Sequence, residues 1–192
     1  MARLPYRLSL LPLVLLFACS SSSSSPSPSQ GFNLRVNLTD APMMQMQAVN
    51  VTVTTVRIHQ SADAAPDAAG WRDIPVTAAM PANLMAMTGG VLFELCTTNL
   101  EPGAYQQVRL IMMPNAGSQP PFQNSVMTMD GVTHPMTVPS DSGKIVHPFA
   151  VAAGTTTDLT LDFNAAQSVM QTGSGSWMMQ PVISASSTMM PM

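Results

Sequence analysis

Methionine is the residue type whose number and spacing could support chemistry in this chain. The sequence contains 18 methionines among 192 residues, and several stand in short clusters: Met43-Met44-Gln45-Met46, Met127-Thr128-Met129, His134-Pro135-Met136, Met178-Met179 and Met189-Met190-Pro191-Met192. Methionine thioethers are soft ligands that suit Cu(I), so one interpretation is a soft-metal site. The other is that methionine fills the hydrophobic core in place of leucine and valine. Met127 and Met129 favour packing, because alternate residues of a strand share one face.

A cysteine near the start of the chain could carry a lipid. Leu8 to Ala18 is an apolar run after Arg3 and Arg7, too short to span a bilayer and typical of a secretory signal peptide. The run ends in LFAC, which resembles the bacterial lipobox, although Phe17 is bulkier than the residue usual there. We expect residues 1–18 to be a signal peptide and Cys19 to receive a diacylglycerol thioether. The alternative is ordinary cleavage after Ala18, which leaves Cys19 as a free thiol.

Residues 19–30 contain the Ser/Pro-rich run SSSSSSPSPS (20–29), which has no apolar residue to bury. Such a run buries nothing and is typical of a tether between a lipid anchor and a folded domain. Fully extended, the run spans about 30 Å at roughly 3.1 Å per residue. Ser20, rather than aspartate, follows the expected lipidated position. In a Gram-negative cell this resembles the signal for transfer to the outer membrane, so the membrane is the first expected partner.

The charge of the chain excludes one class of partner. Only 9% of the residues are charged, against about 25% in an ordinary soluble domain. The net charge is -3, and without Arg3 and Arg7 five basic residues face ten acidic ones, a net charge of -5. A chain this poor in cations cannot neutralise a row of phosphates, so we expect no nucleic-acid partner.

Cys96 would have no disulfide partner if Cys19 is alkylated, and we interpret it as a half-buried small hydrophobic residue.

The sequence contains no recognisable catalytic motif. There is no G-x-S-x-G around any serine and no H-E-x-x-H, and the three histidines stand on separate predicted elements. Asp40 and Asp162 lie at predicted strand ends without the spacing of a calcium loop, so we expect them to accept backbone hydrogen bonds. We therefore predict that the protein is not an enzyme, with no catalytic residue, no metal ligand set and no cofactor.

Alternation with a period of two recurs along the chain, and no stretch after residue 31 sustains a helical period. We predict an all-β fold, a single β-sandwich over residues 31–184 with about nine or ten short strands. The slip in alternation before Val56 predicts a β-bulge near Thr54-Thr55. Asp130-Gly131 predicts a type I′ hairpin. Residues 185–192 are predicted to be a frayed, flexible tail.

A tyrosine after a Pro-Gly turn has a structural interpretation. Tyr105 follows Pro102-Gly103 by two residues and begins an alternating strand. This resembles the tyrosine corner of Greek-key sandwiches, in which the phenol bonds back to a nearby backbone group. We therefore assign Tyr105, Pro102 and Gly103 a structural role and no catalytic one.

Several segments in fixed order resemble one bacterial family. They are LTDAP (38–42), VNVTVTTVRIH (49–59), GW (70–71), ANLMAMTGGV (82–91), LEPGAYQQVRL (100–110), FAVAAGTTTDLTLDFNAAQSV (149–169) and GSGSWMMQPVIS (173–184). Together they resemble the domain of unknown function 4382, over about residues 31–184. The resemblance implies an exported or lipid-anchored protein with an immunoglobulin-like or prealbumin-like Greek-key sandwich, and it implies no activity.

This chain departs from the family pattern at a few positions. Met85, Met87, Met112 and Met113 stand where the family usually has leucine or valine, which favours packing for these four methionines. Gln180 replaces a cationic residue. We expect a non-catalytic cell-envelope lipoprotein, either a structural module or a binding module whose ligand the sequence does not identify; an envelope protein or a polysaccharide is the partner class considered. The alternative function is binding of Cu(I) by the methionine clusters.

Overall fold

The computed structural model describes residues 31–40 and 45–192, and most of their regular structure is β-strand. The strands are β1 (Leu34–Asp40), β2 (Met46–Val51), β3 (Val53–His59), β4 (Arg72–Pro75), β5 (Ala82–Asn83), β6 (Phe93–Thr98), β7 (Gly103–Met112), β8 (Ser125–Thr128), β9 (Thr133–Thr137), β10 (Ser142–Val151), β11 (Thr155–Phe163), β12 (Val169–Gln171), β13 (Trp177–Met179) and β14 (Ile183–Pro191). The helices of the described residues are a 3-10 turn (Leu84–Met87) and α1 (Ala165–Ser168). The predicted all-β class is confirmed.

The strands form three sheets. Sheet I has the order β14-β11-β1-β6, sheet II the order β10-β7-β3-β4, and sheet III the order β12-β13-β9-β8-β2-β5. Most neighbours are antiparallel, but β1 runs parallel to β11 and β13 runs parallel to β9. The strand count exceeds the predicted nine or ten, because several strands have only two to four residues. Residues 125–137, for example, contain the two short strands β8 and β9.

All three sheets contribute to one hydrophobic core. Alternate residues of β1, β7 and β11 point into it and are fully or almost fully buried: Leu34, Val36, Leu38, Val108, Leu110, Met112, Leu159, Leu161 and Phe163. Sheet III adds Val49, Val126 and Met179 to the same cluster. Burial of aliphatic area at about 25 cal/mol per Å² is the main force that holds such layers together. The result is the predicted sandwich architecture.

The chain passes from sheet III to sheet II at Thr52, between β2 and β3. Thr52 is buried, and its N–H donates to Oδ1 of Asn124 (3.2 Å) while its hydroxyl donates to the carbonyl oxygen of Gln123 (2.9 Å). The register against β7 shifts between Val53 and Thr55. The bulge predicted near Thr54-Thr55 is therefore present, and it accompanies a change of sheet.

The loop between β8 and β9 differs from the predicted type I′ hairpin. Such a turn needs positive φ at both central residues, whereas Gly131 has φ +83° and Asp130 has no positive φ. The N–H of Gly131 donates to the carbonyl oxygen of Thr128 (2.9 Å). The loop of residues 129–132 is longer than the two-residue loop of a type I′ hairpin. It fits a turn followed by a left-handed glycine, an arrangement that also joins antiparallel strands.

The end of the chain corrects the prediction of a frayed tail over residues 185–192. β14 pairs antiparallel with β11 over nine registered positions, from Ile183 opposite Phe163 to Pro191 opposite Thr155. The segment lacks charge and has little burial of its own, which is why its composition predicts fraying. Its order comes from backbone hydrogen bonds to a buried neighbouring strand, so the sandwich extends through residue 191.

The two ends of the sandwich can be distinguished from the strand directions. At one end, the Asn33 side chain bonds both backbone groups of Leu100, accepting from its N–H (2.8 Å) and donating to its carbonyl oxygen (2.7 Å). β10 finishes at this end, with Val151 opposite Gly103, and starts at the other, with Ser142 opposite Ile111. At about 3.3 Å per residue, the ten residues of β10 separate the ends by about 30 Å.

No helix of the described residues has the length and apolar character that a membrane crossing requires.

Candidate binding site

Tyr105 closes the turn that precedes β7. Its hydroxyl donates a hydrogen bond to the carbonyl oxygen of Glu101 (2.9 Å), across the turn formed by Pro102 and Gly103. Its ring stacks on Phe149, with 5.6 Å between the ring centroids. Burial raises the pKa of the Tyr105 phenol, and the charge of Arg72 opposes this rise more strongly than the Glu101 carboxylate adds to it. This is the contact that a tyrosine corner makes, and it ties Tyr105 to the fold rather than to a reaction.

The two cysteines differ in what the structure describes. Cys19, the predicted lipidation site, lies outside the described residues. Cys96 lies in β6 and is buried. Burial raises the pKa of the Cys96 thiol to about 12, and the Glu94 carboxylate adds to the rise. Because the thiolate is the nucleophile and the metal ligand, Cys96 is inert at neutral pH.

The histidines and the two singled-out aspartates do not come together. His59 contacts the carbonyl oxygen of Ala69 (3.0 Å), while His147 contacts the hydroxyl of Ser187 (3.3 Å). Within residues 31–40 and 45–192, no three His, Cys, Asp or Glu side chains are grouped as a metal site would require. Asp40 accepts a hydrogen bond from the N–H of Ala165 (3.0 Å) at the start of α1, as a strand-end aspartate is expected to do.

The methionines divide between core and surface. Four are buried in the shared core: Met87, Met112, Met136 and Met179. Met43 and Met44 lie outside the described residues. The prediction that Met127 and Met129 share a core face was wrong, because Met129 lies in the β8–β9 loop with 63% of its surface exposed. Met113 is also exposed, although Met85 packs against the core.

A row of four charged side chains crosses sheet II. Asp73 of β4 is paired with Arg57 of β3. Arg57 is paired in turn with Arg109 of β7, which is paired with Lys144 of β10. Directly paired residues lie on the same face of a sheet, and here it is the outer face, since the alternate residues of β3 and β7 fill the core. We call these four residues the charged row.

The charged row is balanced at one end only. Arg57 forms an ion pair with Asp73 (Nε to Oδ1, 2.6 Å). Neither Arg109 nor Lys144 forms an ion pair with any residue that the structure describes. Like charges at directly paired positions repel each other. The Arg109–Lys144 end of the row is therefore a local positive field on a chain whose net charge is negative.

Trp71 and the loop of residues 61–70 hold the two arginines in place. The guanidinium carbons of Arg57 and Arg109 lie 4.9 and 5.2 Å from the centroid of the Trp71 ring, within the range of a cation–π interaction. Arg57 Nη1 donates to the carbonyl oxygen of Pro66 (2.9 Å), and Arg109 Nη2 donates to that of Ala64 (3.2 Å). The loop covers the arginines and leaves Lys144 exposed.

A cleft of about 480 Å³ opens beside the Arg109–Lys144 end of the charged row. Its lining combines the two cations with serine hydroxyls, an amide and apolar side chains: Arg109, Pro139, Ser140, Ser142, Gly143, Lys144, Met179, Gln180 and Pro181. No aspartate or glutamate is among these residues. Arg109 Nε is buried without a hydrogen-bond partner in the described part of the chain. We call this the Lys144 cleft.

Gly143 allows the two walls of the Lys144 cleft to meet. A Cβ at Gly143 would lie 2.9 Å from Cδ1 of Ile183 and 3.1 Å from Cβ of Pro181. The flexible end of the Ile183 side chain can relieve the first contact, but the second requires the Pro181 ring to give by a few tenths of an ångström. Glycine is therefore the residue that lets β10 approach the segment before β14 so closely.

Sequence reasoning missed the Lys144 cleft. The available signal was the scarcity of cations. Residues 31–192 contain only five of them: Arg35, Arg57, Arg72, Arg109 and Lys144. The structure gathers Arg57, Arg109 and Lys144 in the charged row. Their positions along the chain are far apart, so only the register of β3, β7 and β10 brings them together. Gln180, noted as a departure from the family pattern, also lies in this cleft.

Comparison with known proteins agrees with the sequence resemblance. A family profile described as "Domain of unknown function (DUF4382)" matches residues 33–181. No curated protein matches the chain significantly, and neither does any solved structure. The match covers every strand of the charged row and all nine residues that line the Lys144 cleft.

Proposed function

The chain belongs to the family described as domain of unknown function DUF4382, and because that description carries no activity, we propose a function from its residues and fold. The protein is a non-catalytic, exported lipoprotein of the cell envelope whose β-sandwich binds an envelope ligand. Cys19 carries the lipid after removal of residues 1–18, and residues 19–30 form the tether. In a Gram-negative cell the anchor lies in the outer membrane.

One observation carries the proposed binding function: the position of the Lys144 cleft. The chain enters the sandwich at Gly31, beside the end where Asn33 bonds Leu100. The cleft lies at the start of β10, about 30 Å away along the strand. A site at the end opposite Gly31 remains accessible to a ligand when the chain before Gly31 is attached to a bilayer. The ligand is a polysaccharide or a protein of the envelope, and the charge of the chain argues against nucleic acid.

Membrane anchoring has a direct test in cells. Cys19→Ala removes the thiol that the lipid would alkylate, so the variant should lose fatty-acid labelling and either leave the membrane fraction or fail to mature. Cys96→Ala is the matched control, because Cys96 is buried in β6 and should leave anchoring unchanged. Unchanged membrane association of Cys19→Ala, together with absence of fatty-acid labelling in the parent, would refute the anchor.

A second candidate function is Cu(I) binding, supported by one pair of methionines. Met170 of β12 and Met178 of β13 occupy directly paired positions, so their thioethers project on the same face of sheet III. Met170 is partly exposed. Cu(I) titration of the full chain against a chelating competitor tests this candidate, with the double variant Met170→Leu and Met178→Leu as the comparison. Binding weaker than micromolar, or unchanged in the double variant, would reject it.

A further inference from the structure

The charged row contains a repulsion between cations that no carboxylate of residues 31–40 and 45–192 offsets through an ion pair. Arg57 has Asp73 as its partner, but Arg109 stands directly between two other cations on paired strands. Residues that repel each other without a structural gain are typical of functional sites. An anion that enters beside Arg109 and Lys144 would remove this conflict.

The Lys144 cleft offers donors suited to an anion and to neutral hydroxyl groups. Arg109 and Lys144 are the charged donors, and the cleft contains no carboxylate to compete with a ligand. Ser142 and Gln180 add groups that both donate and accept. Pro139 and Pro181 supply an apolar wall. This mixture fits a sugar ring that carries an acidic group better than it fits an inorganic ion.

The size of the cleft favours the same class of ligand. Its volume of about 480 Å³ lies within the ~300–1,000 Å³ of ordinary small-molecule sites. A bare ion would leave most of that volume unused. A flexible acidic peptide would also present carboxylates, but it would have to lose its backbone freedom on a small, shallow surface.

We propose that the Lys144 cleft binds an acidic saccharide, with Lys144 and Arg109 contacting its carboxylate or phosphate group. This inference rests on the proposed binding function and names the class of its ligand. Trp71 holds Arg109 through the cation–π contact, and the carbonyl oxygen of Ala64 accepts a hydrogen bond from the same guanidinium. Lys144, which is exposed, is the cation free to move toward the ligand.

The fluorescence of Trp71 provides a local probe for the test. The full chain is purified in a non-ionic detergent with Trp177→Phe, so that Trp71 is the remaining tryptophan. Glucuronate and glucose 6-phosphate are titrated separately, which distinguishes the carboxylate from the phosphate, and glucose serves as the neutral probe. We expect one of the two acidic sugars to bind at least about tenfold more tightly than glucose, and added salt to weaken it.

Variants connect the binding to the cleft. Lys144→Gln should lower the affinity for the acidic sugar about tenfold or more. Arg72 is an exposed cation outside the cleft, so Arg72→Gln should leave that affinity unchanged. Equal loss in both variants would overturn the assignment, and so would tighter binding of a glutamate-rich peptide than of either sugar. If glucose binds as tightly as the acidic sugars, the ligand is not specifically an acidic saccharide, and only the proposed binding function is retained. No response to any of the three sugars would overturn the acidic-saccharide proposal and leave an envelope protein as the ligand of the proposed binding function.

Discussion

Arg109 and Lys144 occupy directly paired positions on β7 and β10, so two cations stand side by side on the outer face of sheet II. The first consequence concerns stability. Lys144→Gln should stabilise the protein by about 0.2–1 kcal/mol, because it removes a like-charge pair on neighbouring strands. The gain should shrink as salt screens the repulsion.

Chemical denaturation at low and high ionic strength measures this difference, with Arg72→Gln as the control. A Lys144→Gln variant that is less stable than the parent at low salt would show that Arg109 and Lys144 do not destabilise the fold by repelling each other.

The second prediction concerns the glycine between the cleft walls. Gly143→Ala should destabilise the protein by about 1–3 kcal/mol, because overpacking at a rigid neighbour forces the backbone to shift. Thermal unfolding is the measurement. Gly117→Ala is the matched control, since a Cβ there meets nothing within 4 Å. Equal melting temperatures for the Gly143 and Gly117 variants would show that β10 and Pro181 are farther apart than described.

The third prediction concerns the last strand. Removal of residues 186–192 deletes most of β14 and exposes the edge of β11. The deletion removes six of the nine registered positions. With about one hydrogen bond per position and about 0.5–1.5 kcal/mol for each lost bond, we expect a loss of at least about 3 kcal/mol in the free energy of unfolding. A chain that lacks only Met192 should stay close to the parent. If the long deletion is equally harmless, the segment is a tail after all.

The fourth prediction concerns alkaline pH. The pKa of Cys96 is raised by burial from 9.0 to about 12, so the folded state favours the neutral thiol. Its contribution to stability is complete below pH 9.0 and is lost as pH rises from there toward about 12.

Cys96→Val removes the titrating thiol and keeps a small apolar side chain at this buried position. The stability of the parent relative to Cys96→Val should therefore fall above pH 9, by at most about 1.4 kcal/mol per pH unit. Denaturation curves from pH 8 to pH 10.5 measure the difference. Parallel pH profiles of the two proteins would show that Cys96 is accessible to water.

Local patterns predicted much of the fold because they report what a residue does within its own strand. The alternation of Val56 and Ile58 after a slip predicted the bulge that the register confirms. The Pro-Gly turn before Tyr105 likewise predicted a phenol that bonds back to the chain, which is the bond to Glu101.

The candidate site depends on pairings between distant segments, which no local pattern contains. Arg57, Arg109 and Lys144 meet because β7 lies between β3 and β10. The order of residues 185–191 has the same origin, since a strand without charge or burial of its own is held by β11. Methionine packing was predicted correctly at Met85, Met87 and Met112, where the family has leucine or valine. It was predicted wrongly at Met113, which rests on the same family pattern, and at Met129, where only spacing was used.

The most direct test of the central claim is the location of the bound sugar. Backbone amide chemical shifts of the full chain are followed in a titration with glucuronate and with glucose 6-phosphate. We predict that the shifts concentrate at Ser140, Ser142, Gly143, Lys144 and Gln180, together with the indole N–H of Trp71. Shifts that concentrate elsewhere, for example around Met170 and Met178, or that are absent with both acidic sugars, would contradict the claim that the Lys144 cleft is the binding site.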